Sequence, residues 1–147
     1  MSTQATIGFG PPLIGQTEKA LNAILMRELE DTDVSERGWV LLRLVGGAGG
    51  RLGHGEVVER AGAFSKFRAA DVEVEIGRLV WNELLAREGD EVVLTASAHE
   101  LQERVQSAVA EITARLWGDL PEADLATAGQ VLETVLSRAN AELGYSI

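Results

Sequence analysis

Cysteine is absent from the 147 residues, which removes disulfides, thiolate metal sites and cysteine nucleophiles by composition alone. That fits a reducing compartment, and a cytoplasmic location is expected. Long apolar runs are missing too. Trp39-Val40-Leu41-Leu42, as long as any, stops at Arg43, far short of the about 20 residues a membrane-spanning helix needs. Met1-Ser2-Thr3-Gln4 carries no basic segment ahead of an apolar one, so neither export nor membrane attachment is expected. Histidine is scarce: His54 and His99 stand alone in the sequence, without the paired spacing of a metal site, and both read as surface or packing residues. No serine, histidine and acid constellation can be assembled, and no carboxylate pair stands out from the general acidity. No catalytic residue, metal or cofactor is therefore expected, and the chain does not read as an enzyme.

Positive charge is short as well. Lys and Arg number 13 against 23 Asp and Glu, for a formal net charge of −10 and a pI near 4.6. Such a chain repels a phosphate backbone at long range, so any nucleic-acid contact must come from a local basic patch. Acidity is also what solvated helical proteins carry for solubility.

What the sequence has is helical periodicity. With 46% hydrophobic residues, the chain can bury one sizeable core and is too short for two. After Gly10-Pro11-Pro12, apolar residues recur at Leu13, Ala20, Leu21, Ile24, Leu25 and Leu29, the stripe of a first amphipathic helix. Ser35 can cap a second helix carrying Trp39, Leu42 and Val45, nearly all apolar and hence buried. The run from Gly46 to Gly55 is too rich in glycine to stay helical and reads as a loop. It lacks the lysine and serine or threonine of a phosphate loop. Two short helices follow, Glu56 to Phe64 and Ala69 to Asn82, the second with Val72, Ile76, Leu79 and Val80 facing inward. The period then changes: runs from Leu84 to Glu88 and from Glu91 to Thr95 flank Gly89-Asp90, the pattern of a two-stranded hairpin. Ser97 and Glu100 read as a capping box opening a long helix with Leu101, Val105, Ile112 and Leu116 on one face. Beyond Gly118 and Pro121, a last long helix carries Leu125, Leu132, Val135 and Leu143. The long terminal helices have no obvious partner within a small central module, and a second copy of the chain is the simplest source of the missing apolar surface.

The order of these elements, from Leu13 to Leu143, resembles that of the MarR-type bacterial transcription regulators. Leu94-Thr95 stands where that family's wing passes into its fifth helix. Val34 to Leu42 is similar to the start of its second helix, and Ile76 to Leu85 to its recognition helix running into the wing. The resemblance implies a mainly α fold with a short β-hairpin wing, a winged helix-turn-helix with long dimerisation helices. Residues 1–147 would form one domain, with 34–96 as the winged-helix module and 13–31 and 97–143 as dimerisation helices. It further implies a homodimer that presents recognition helices to the major groove of double-stranded DNA, and release of DNA by a small aromatic or anionic ligand entering the cleft between the two parts.

Between Arg51 and Asp90, six basic residues face eight acidic ones, a departure from a module that binds DNA by counterion release. Asp71, Glu73 and Glu75 fall in the recognition helix itself and meet phosphate or base edges unless they point away. The DNA-contact candidates are Ser65, Lys66 and Arg68, where that helix begins and its N-terminus favours a phosphate, followed by Arg78 and Arg87. Each can equally be a solvated surface residue. Trp39 is the ligand-binding candidate, lining a cavity with apolar residues of the first helix, although helical tryptophans more often simply pack. The other reading is a dimeric winged-helix ligand-binding or protein-interaction module that has lost operator recognition, favoured by the acidic stretch from Asp71 to Glu75.

Overall fold

The computed structural model describes residues 6–65 and 67–144, the side chains of Phe64 and Ser65 excepted. Six helices and three short strands follow one another as α1 (Pro11–Glu28), α2 (Glu36–Gly47), β1 (Arg51–Gly53), α3 (His54–Ser65), α4 (Ala69–Trp81), β2 (Leu85–Glu88), β3 (Glu91–Leu94), α5 (Ala96–Trp117) and α6 (Glu122–Glu142). Among the described residues, no helix is long and apolar enough to cross a membrane.

Local chemistry sets most of these boundaries. Proline occupies the first turn of α1, where a missing N–H is harmless. Ser35 Oγ accepts from the backbone N–H of Gly38 at 3.0 Å and caps α2, as the sequence suggests. Trp39, Leu41, Leu42 and Val45 of that helix are buried, while Arg43 is exposed. Gly89, at φ 59, takes the first central position of the two-residue hairpin turn, where a type II′ turn requires positive φ.

Two expectations are corrected. The glycine run from Gly46 to Gly55 is not a plain loop: α2 extends through Gly47, and Gly49 and Gly50 turn the chain at φ 85 and 91. Arg51–Gly53 then pairs antiparallel with β3, Leu52 opposite Val92. The sheet is therefore three-stranded in the order β1-β3-β2, and the hairpin registers Leu85 with Leu94 and Arg87 with Val92. The strand has only Leu52 buried, so it shows no alternation of its own. The second correction concerns the start of α5, which Thr95 caps rather than Ser97. Thr95 Oγ1 accepts from Ala98 N at 3.2 Å and donates to the Glu83 carbonyl at 2.7 Å, a long-range bond that fixes the helix start two residues before the apparent capping box.

The core is one cluster from Leu29 to Val105, joining α2, α3, α4, the sheet and the first half of α5. Among the described residues its two buried polar side chains are satisfied: Gln102 donates to the Leu42 carbonyl at 2.7 Å, and Glu75 is held as described below. The periphery differs. Helix α6 has no buried residue, and Leu132, Val135, Leu136 and Leu143 are all exposed, Leu136 at 59%.

Candidate nucleic-acid interface and apolar cavity

The acids of α4 are occupied from within the molecule. Glu75 is 7% exposed; its Oε2 accepts from Ser35 Oγ at 3.1 Å and its Oε1 from Arg78 Nη1 at 3.2 Å. Asp71 Oδ1 lies 3.7 Å from Arg37 Nη1, and the same guanidinium sits 5.4 Å from the centroid of the Phe67 ring, within cation–π range. Glu73 Oε1 lies 2.6 Å from His54 Nε2. A local charge count overstates the repulsion this helix presents, because each carboxylate has a donor or cation from a neighbouring turn or element close by. His54, isolated in the sequence, thus has an acidic partner in the fold.

The outward stripe of α4 is left to small and apolar groups. Ala70, Glu73, Val74 and Trp81 are exposed and Gly77 is half-buried, spacings of three and four that place them on one face. Val74 is 54% exposed and Trp81 86%. A fully exposed tryptophan is uncommon, and the sequence stripe of Val72, Ile76 and Leu79 gave only the opposite, inward face.

The expected DNA-contact residues are placed as follows. Arg68 is the N-cap of α4, exposed and extended, with no side-chain bond closing the helix end. It has no ion-pair partner among the described residues. The first N–H groups of α4 and this guanidinium together offer an anion two kinds of donor. Arg87 projects from β2, exposed, and is likewise without a carboxylate partner among the described residues. Arg78 is engaged by Glu75. Ser65 closes α3 and its side chain is not described; Lys66 lies outside the described residues. Arg51, not singled out in the sequence, bonds Glu88 at 2.8 Å and Glu91 at 3.2 Å. This neutralises two wing acids and ties β1 across β3 to β2, which leaves Arg87 as a cation of the wing with no carboxylate attached.

A separate cavity of about 840 Å³ opens between α1, α2 and α5. Leu13 and Leu25 of α1, Trp39 of α2 and Val109 of α5 form apolar wall, while Leu116, Trp117 and Leu132, otherwise exposed, extend it outward. Trp39 is part of this wall, together with residues of the first helix. Arg43, which sequence reasoning missed, adds a cation to the wall, with Glu18 the acid there. The volume falls in the range of small-molecule sites, and so does the lining, mostly apolar with a few polar groups.

No family model and no curated protein matches the sequence. Solved structures do match. Ligand-free NadR superposes with a TM-score of 0.71 over 90% of this chain and 98% of its own, at 19% identity. The reduced form of MarR from E. coli gives 0.68 over 88% and 96%, also at 19% identity. The RdhR transcriptional regulator, described as organohalide-sensing, gives 0.70 in its 2,4-dichlorophenol-bound form, over 85% of this chain and 76% of its own, at 14% identity. The chain therefore carries the mainly helical winged-helix fold of the MarR-type regulators.

Proposed function

We propose that the chain is a cytoplasmic, non-enzymatic transcription regulator of the MarR type, a homodimer that binds double-stranded DNA and responds to a small aromatic or anionic ligand. In this reading residues 34–96 form the DNA-binding module, and α1, α5 and α6 carry the dimer contacts. The observation that carries it is the internal pairing of Asp71, Glu73 and Glu75, which lowers the electrostatic objection to seating α4 against DNA. Arg68 at the helix start and Arg87 on the wing are left to meet phosphates, and Ser65, Lys66 and Arg78 belong to the same proposed surface. Helix α6, with its apolar residues uncovered, supplies the self-complementary face a two-fold dimer needs.

The ligand reading rests on the cavity. An aromatic body fits its apolar wall beside Trp39, and Arg43 suits an anionic or phenolic end. Ligand that fills the space between α1, α2 and α5 couples the dimerisation helices to the module bearing α4, and so biases the spacing of the two reading heads. RdhR, whose structure with 2,4-dichlorophenol shares this fold, is a precedent for such a ligand class.

A band-shift series with the DNA flanking its own gene tests the function. Retardation at low salt that weakens steeply as salt rises is expected, and addition of small phenols and aromatic acids releases the DNA. Absence of retardation at low salt counts against the regulator and for the second reading, a dimeric ligand-binding or protein-interaction module. The bare Trp81 on α4 is the observation that favours this second reading.

A further inference from the structure

We infer that α4 reads DNA by apolar contact, with Val74 and Ala70 against thymine 5-methyl groups in the major groove; the inference rests on the DNA-binding reading above. Direct readout by hydrogen bonds needs free donors or acceptors on the outward face of the helix. On this face Glu73 gives one oxygen to His54 at 2.6 Å and Arg78 one N–H group to Glu75, both side chains staying open to solvent, while Glu75 points inward to Ser35. Beside them project Ala70 in the first turn and Val74 one turn later, separated by about 6 Å along the axis, with half-buried Gly77 allowing close approach beyond them. The thymine methyl is the one apolar group on the floor of the major groove, and small aliphatic side chains are its complement.

The occupant is set by the charges at the edges of this face. Arg68 stands at its N-terminal end and Arg87 on the adjoining wing, both exposed and without carboxylate partners among the described residues. An apolar strip bordered by free guanidinium groups complements a groove floor bordered by phosphates. Operators should therefore be rich in thymine where the first two turns of α4 rest.

The test uses the full chain and a duplex selected by it from a random library, then prepared with either thymidine or deoxyuridine, which differ by the methyl alone. Deoxyuridine DNA should bind about tenfold more weakly, the size expected from losing one buried methyl-sized contact in each of two half-sites. V74A should bind thymidine DNA more weakly and lower the ratio, the contact at Ala70 remaining; Val74 is exposed, so this variant keeps the fold, which circular dichroism checks. Equal affinity of the wild type for both duplexes overturns the inference and leaves the DNA-binding reading standing. An undiminished ratio in V74A also overturns it, by moving the methyl contact elsewhere. If no duplex is selected at all, the DNA-binding reading itself fails, and the inference with it.

Discussion

Replacing Ser35 by alanine removes a single oxygen that serves two elements at once. Its Oγ accepts from Gly38 N at 3.0 Å and donates to Glu75 Oε2 at 3.1 Å, so one hydroxyl both caps α2 and holds α4 against it. The cap alone is worth about 1 kcal/mol. A hydrogen bond to a charged group contributes about 1.5–3 kcal/mol, and the carboxylate that loses it here is nearly buried, with only the Arg78 contact left. Because a single atom makes both bonds, the combined loss should approach their sum, about 3 kcal/mol. For a chain of this length that lowers the thermal midpoint by about 6–12 °C. Measurements belong at one fixed protein concentration, since association shifts the midpoint by mass action. A cycle with E75Q separates the two roles: S35A made in the E75Q background should cost less than in the wild type, because the charge on its partner is already gone. If S35A costs about 1 kcal/mol or less, and the same in both backgrounds, then the hydroxyl is only a helix cap, and the clamp between α2 and α4 is refuted.

Other outcomes follow from the same geometry. In G46A the new Cβ meets both Nε2 and Oε1 of Gln102 at 3.0 Å; displacing that amide strains the buried bond to the Leu42 carbonyl and should cost about 1–3 kcal/mol in denaturant unfolding, whereas unchanged stability would mean the amide is free to move. R87A should weaken DNA binding similarly on every sequence and reduce the slope of log affinity against log salt by about 2, one phosphate contact from each wing of the dimer. An unchanged slope removes the wing from the interface. L136E places a charge on the most open part of the α6 stripe and should convert the dimer to monomer in size-exclusion chromatography coupled to light scattering, with the winged-helix core still folded by circular dichroism. A dimer that survives L136E places the contact elsewhere.

Much of the fold was legible because helical periodicity is local. Leu13 to Leu29, the buried stripe of α4 and the cap at Ser35 need only a few neighbouring residues to be seen. Features built by long-range contacts were not. The strand β1 exists through pairing with β3 some forty residues on, and a glycine run with one buried leucine gives no local signal for it. Ser97 followed by Glu100 is as good a helix start as Thr95 by composition; what selects Thr95 is its bond to Glu83, delivered by the hairpin. The site divides the same way. Trp39 is singled out by sequence as the aromatic within an apolar run, and Arg43 could have been found as the charge interrupting that run between Trp39 and Val45. The charge balance around α4 is an incomplete guide because Arg37, the cation beside Asp71, comes from α2, and the hydrogen-bonding partners His54 of Glu73 and Ser35 of Glu75 lie 19 and 40 residues away in the chain, so these contacts appear only once α2, α3 and α4 are packed together.

A second copy of the chain covering α6 is what sets two reading heads on one duplex. Sedimentation equilibrium of the full chain at micromolar concentration, in moderate salt and without DNA, tests this directly. A mass twice the 15.8 kDa of one chain is expected, with little monomer present. A single species at the mass of one chain would contradict the account, because one reading head without its twin cannot engage two half-sites of a duplex.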